Sequence, residues 1–95
     1  MWRSILVPGD RGSEGGTVLA DEEYKGSCRI TLEKCESCCA VTCGIYGAMV
    51  HTAFADGESC LAMYEEMKKD LQEFLDTETS REEELAFYES FCNKY

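Results

Sequence analysis

The sequence predicts an α+β fold: an antiparallel β-meander of about four strands over residues 17–55, packed on one face by two C-terminal α-helices at about 57–76 and 80–93. Three observations carry this. Residues 27–45 alternate apolar and polar with a period of two. Residues 60–75 repeat apolar side chains at spacings of three and four. All the strand patterns precede the helical ones, an order that segregates sheet from helices.

The elements follow in chain order. Ser4 to Val7 is a candidate short strand, ended by Pro8 and Gly9. Residues 8–16, "PGDRGSEGG", hold four of the eight glycines and the only proline, which predicts a mobile loop. It lacks the GxxxxGK[ST] spacing of a phosphate cradle. "TVLA" (17–20) reads as a strand and "DEEYKG" as a turn. "SCRITLEK" (27–34) puts Cys28, Ile30 and Leu32 on one side. "SCCAVTCGI" (37–45) puts Cys39, Val41, Cys43 and Ile45 on one side, and Cys38, Ala40, Thr42 and Gly44 on the other.

A two-residue turn at Cys35 and Glu36 pairs Leu32 with Cys39, Ile30 with Val41 and Cys28 with Cys43; a longer loop with the same faces is the alternative. A second tight turn at Ile45 and Tyr46, flanked by Gly44 and Gly47, leads into a strand over 48–55. On it Ala48, Val50, Thr52 and Phe54 alternate with Met49, His51 and Ala53.

Asp56 then offers a helix cap. Cys60, Tyr64, Met67, Leu71 and Phe74 or Leu75 form the first helical stripe, with Leu61 beside it. Ser80 and Glu83 form a capping box for the second helix, with Thr79 and Glu82 as a competing frame. Its stripe is Leu85, Tyr88, Phe91 or Cys92, and Tyr95. The expected core therefore joins Ile30, Val41, Ala48, Val50 and Phe54 to Leu61, Tyr64, Met67, Leu71, Leu85, Tyr88 and Phe91.

A chain of 95 residues is expected to form a single domain, residues 1–95. It has no apolar run long enough to span a membrane. The apolar stretch near the N-terminus is too short for a secretory leader, so the expected location is cytoplasmic, with thiols reduced. Seven cysteines is an odd number, which excludes a fully paired monomeric disulfide framework.

The net charge of −10 is uneven: residues 56–95 carry twelve acids against four bases. Such a surface repels nucleic acid and attracts a basic protein partner, or serves solubility alone.

The cysteines pose the sharpest chemical question, because Cys35, Cys38, Cys39 and Cys43 fall within nine positions. Cys35-x-x-Cys38 has the spacing of half a zinc knuckle. However, alternation throws Cys38 and Cys39 to opposite faces, and no second ligand pair exists, so no metal or other cofactor is expected. A redox CxxC belongs at a helix start, and this one abuts strands. A catalytic reading uses Cys38 as nucleophile with His51 as base, diagonal neighbours if the second turn is tight. In the plain reading five of the seven cysteines, Cys28, Cys39, Cys43, Cys60 and Cys92, act as small buried hydrophobes.

The function expected is that of a small acidic, non-enzymatic binding or regulatory domain. The alternative is a cysteine-dependent enzyme or thiol-redox protein using Cys38 with His51. Small and apolar residues on the second sheet face (Ala40, Gly44, Met49, Ala53) point to a homodimer through that face or an edge strand.

Overall fold

The computed structural model describes residues 2–5, 8–12 and 14–95. It has the α+β arrangement, with one strand more than expected. Five antiparallel strands form a simple meander: β1 (Trp2–Ser4), β2 (Thr17–Tyr24), β3 (Cys28–Lys34), β4 (Cys39–Ile45) and β5 (Met49–Ala55). Two helices follow, α1 (Cys60–Asp76) and α2 (Arg81–Lys94). β1 supplies the extra strand, pairing Trp2 with Tyr24 and Ser4 with Glu22. Leu6 and Val7, within the expected first strand, lie outside the described residues.

β2 runs four residues beyond "TVLA", because "DEEY" is strand and not turn. Each of its acids has a partner that offsets the poor strand propensity of Asp and Glu. Asp21 takes Arg29 and Thr31, Glu22 takes Tyr64 and Lys68, and Glu23 takes Arg3 and Tyr46. One register shift, between Val18 and Ala20, makes a bulge at Leu19.

The β3–β4 hairpin keeps its expected faces with a longer loop. Lys34 pairs with Cys39, Leu32 with Val41 and Ile30 with Cys43, so four residues, 35–38, make the connection. The shift from the two-residue turn is an even number of positions, which leaves every side chain on its own face.

The β4–β5 turn departs from expectation by an odd number. Ile45 pairs with Met49, and Ala48 N–H donates to the Ile45 carbonyl at 2.9 Å. Gly47 sits between them at φ 77°, the left-handed value that the third position of a type II turn requires. The odd shift turns β5 over. Met49, His51, Ala53 and Ala55 face the helices, while Val50 and Phe54, expected in the core, are 80% and 60% exposed.

The core lies between the β3–β5 inner face and α1. Cys28, Ile30, Leu32, Val41, Cys43, Ile45 and Met49 meet Tyr64, Met67 and Leu71. Spacings of four, three and four place Cys60, Tyr64, Met67 and Leu71 on one side of α1. Leu61, beside that stripe, is 63% exposed. The helix starts at Cys60 with Ser59 as N-cap, three residues after the expected Asp56 cap, because residues 56–59 close a turn in which Ser59 N–H bonds the Asp56 carbonyl.

α2 begins with the Ser80–Glu83 capping box. It reaches the rest of the protein through long aromatic side chains. Phe87 stacks on Phe74 at 4.1 Å between ring centroids, and Phe91 meets Phe87, Tyr95 and His51. Phe87 does this work in place of Leu85, which is 52% exposed.

Cys39 at the start of β4 and Cys60 at the start of α1 form a disulfide with 6.1 Å between Cα atoms. This corrects the reading of both as unpaired small hydrophobes. Both lie on the sheet–helix interface, and the bond ties one layer to the other.

Candidate functional site

The sheet face turned away from the helices carries the unusual features. Its side chains come from alternate positions: Arg29, Thr31 and Glu33 on β3, Ala40, Thr42 and Gly44 on β4, and Val50, Thr52 and Phe54 on β5.

One end of this face is covered by the glycine-rich loop. Gly9 N–H bonds the Val18 carbonyl, Val18 N–H bonds the Asp10 carbonyl, and Gly12 N–H bonds the Gly16 carbonyl. The fully buried Glu33 carboxylate accepts from Gly16 N–H at 2.8 Å and from Glu14 N–H at 3.2 Å. A Cβ at Gly12 would come within 2.5 Å of that carboxylate, and one at Gly16 within 2.6 Å of the Lys34 carbonyl. The loop therefore cradles an anion after all, and the anion is the protein's own.

Next along β3, the buried Asp21 carboxylate holds Arg29 by two bonds, from Nε at 2.9 Å and from one terminal nitrogen at 2.6 Å, and also accepts from Thr31. This pairing raises the Arg29 pKa. Beyond it lies a cavity of about 600 Å³ between the loop and the β4–β5 turn, lined by Arg11, Arg29, Thr31, Thr42, Tyr46 and Val50 among others. The Tyr46 hydroxyl donates to Glu23, which also takes Arg3. These two bonds, Tyr46 first, hold the Glu23 pKa below its ordinary value.

At the far side stands β5, an edge of the sheet. Its seven residues, MVHTAFA, carry no formal charge. Edge strands are normally blunted by shortness, charge, proline or a bulge. The other edge follows that rule, since β1 has three residues and carries Arg3. β5 does not.

The two predicted catalytic residues are not brought together by the register. His51 pairs with Cys43 instead of Ala40, so its ring lies on the helix side against Phe91. Its Nε2 is buried and has no hydrogen-bond partner among the described residues. Cys38 sits in the β3–β4 loop, just before the residue that opens β4. The three-residue displacement of the second turn is the cause.

Burial raises the thiol pKa of Cys28 to about 11 and of Cys43 to about 12, which makes both poor nucleophiles. Among the described residues no group of three or more His, Cys, Asp or Glu is arranged to hold a metal ion. Among the described residues no helix is long and apolar enough to cross a membrane.

Compared with known proteins, the chain matches no family model, no curated protein and no solved structure. Sequence reasoning missed the outward setting of Val50 and Phe54, and the seat of Glu33. The first depended on one turn length. The second had a signal, since Gly12 and Gly16 lie in the loop directly before β2, whose neighbour β3 carries Glu33 on its outer side.

Proposed function

We propose that this chain is a non-enzymatic binding domain whose docking surface is the β5 edge with the outer face beside it, and that its partner there is a second copy of itself. One observation carries the reading: β5 is an uncharged edge strand that exposes Val50 and Phe54 in a protein of net charge −10. Two acidic copies repel except where they present neutral surface, and β5 is such a strip.

The strand also complements itself. A two-fold axis through Thr52 sets Val50 against Phe54 of the partner subunit and Phe54 against Val50 of the partner subunit. Cross-strand pairs of an aromatic with a β-branched residue contribute roughly 0.2–1 kcal/mol each. The same axis leaves Asp56 opposite Ala48 of the partner subunit, so no acids oppose each other.

Sedimentation at micromolar concentration tests this. The native chain is expected to sediment as a dimer, and Val50→Lys as a monomer. A native chain that stays monomeric throughout overturns the reading.

A second reading rests on the helices, where Glu65, Glu73, Glu82 and Glu89 are exposed. They suit a basic protein partner, which binds at low salt and is released at high salt. A lysine-rich peptide that shows no salt-dependent binding counts against it. Compartment is tied to the Cys39–Cys60 bond: an oxidising one preserves it, and the cytoplasm expected from the sequence keeps both thiols reduced.

A further inference from the structure

We propose that Cys35 and Cys38 form a thiol–disulfide exchange site, a dithiol that an external disulfide of the glutathione class converts into an intrachain bond with no rearrangement of the backbone.

The hairpin geometry is the ground for this. Lys34 pairs with Cys39, so the next residues inward, Cys35 and Cys38, oppose each other, and Cys35 N–H donates to the Cys38 carbonyl at 2.9 Å. The Cys35 sulfur lies on the outer side, beside Gly16 and the Glu33 carboxylate. That single N–H···O=C bond holds the two backbones close together, and a disulfide needs Cα atoms roughly 4.4–6.8 Å apart. Burial first, then the Glu33 carboxylate and then the neighbouring Cys38 thiol raise the Cys35 pKa, and the last of these sets the two thiols beside each other. Only Glu36 and Ser37 separate them along the chain, which keeps the effective concentration of one thiol at the other high.

Access separates this pair from four of the other five cysteines, and distance along the chain separates it from Cys92, half-buried on α2. Cys35 and Cys38 are half-buried at the hairpin tip, within reach of a small disulfide. Cys39 and Cys60 are buried, as are Cys28 and Cys43. Exposed pairs exchange readily, while enclosed ones resist.

The exchange balances in two steps. The Cys38 thiolate attacks one sulfur of the external disulfide, whose S–S bond breaks, and the first external thiolate leaves with the proton that Cys38 gave up. Cys35 then gives up its proton and attacks the Cys38 sulfur of the mixed disulfide. The second external thiolate leaves and takes that proton. Two protein thiols are oxidised, and one external disulfide is reduced to two thiols. Cys38 is the attacking residue because burial and the Glu33 carboxylate both disfavour the Cys35 thiolate.

The pair also touches the glycine-rich loop. A Cβ at Gly16 would approach the Cys35 sulfur to 3.0 Å, and the same residue's N–H holds Glu33. A change at the thiols is therefore made next to the anchor of the loop.

The test treats the whole chain, with Cys39–Cys60 formed, with oxidised glutathione near neutral pH, followed by alkylation and non-reducing peptide mapping. The expected product has lost two hydrogens, carries a Cys35–Cys38 link and alkylates at neither residue. In Cys35→Ser the reaction is expected to stop at a glutathionyl adduct on Cys38. If Cys35 and Cys38 both stay alkylatable in the native chain, or if Cys38 exchanges into the Cys39–Cys60 bond instead, the proposal is overturned. The native-chain arm decides the matter even where the variant folds poorly.

Discussion

Removal of the Cys39–Cys60 bond gives the most quantitative handle on the fold. The bond closes a loop of 21 residues. The chain-entropy relation for a loop of that size gives about 3.3 kcal/mol of stabilisation at 25 °C. The loop contains most of β4, all of β5 and the turn into α1, so without the bond that stretch of the unfolded chain regains its freedom. Double replacement Cys39→Ala with Cys60→Ala is expected to lower unfolding stability by about 3 kcal/mol. In a domain of this size that is a fall in Tm of roughly 12–24 °C.

The assay is urea unfolding followed by circular dichroism, on the oxidised native chain, the reduced native chain and the double variant. The latter two should lie close together, since both lack the bond. If the oxidised and reduced native chains differ by less than about 1 kcal/mol, the bond does not constrain the unfolded state and the reasoning fails.

Three further outcomes follow from particular contacts. Glu33→Ala strips the buried Gly16 N–H and the part-buried Glu14 N–H of their acceptor; stability should drop by roughly 1–3 kcal/mol, and trypsin should cut after Arg11 markedly faster than in the native chain. Lys25 first, and then Tyr24, hold the Asp76 pKa below its usual 3.8. The unfolded state therefore binds more protons in that window, and this stabilisation is present above about pH 4 and lost as pH falls through the folded value; Asp76→Asn should flatten the acid limb of a stability–pH curve, and an unchanged limb refutes the pairing. His51→Phe removes a buried nitrogen with no partner among the described residues, so it should leave stability unchanged or raise it by up to about 1 kcal/mol in thermal unfolding.

Much of the architecture was legible because alternation tolerates even-numbered errors. The β3–β4 loop is two residues longer than the tightest turn, yet Ile30, Leu32, Val41 and Cys43 kept their inward faces. The β4–β5 turn was misplaced by three in register, and parity then exchanged His51 for Val50 and Phe54. That one turn decided the fate of the candidate site. It drew His51 under α2 and left two apolar residues in solvent.

The acids of β2 misled for another reason. Local preference reads "DEE" as turn, and only tertiary partners from β1, β3 and α1 make it strand. The disulfide was out of reach because periodicity says which side of α1 Cys60 occupies, but not which strand lies beneath it.

The seat of Glu33 has a consequence of its own. Gly12, Glu14 and Gly16 and the acid they enclose fit each other as a lock fits the key left inside it, so neither side can change alone. Truncating the acid vacates a small receptor for carboxylates, which dissolved acetate or formate would be able to fill, restoring part of the lost stability. Segment and acid would have to be transplanted together into any other scaffold.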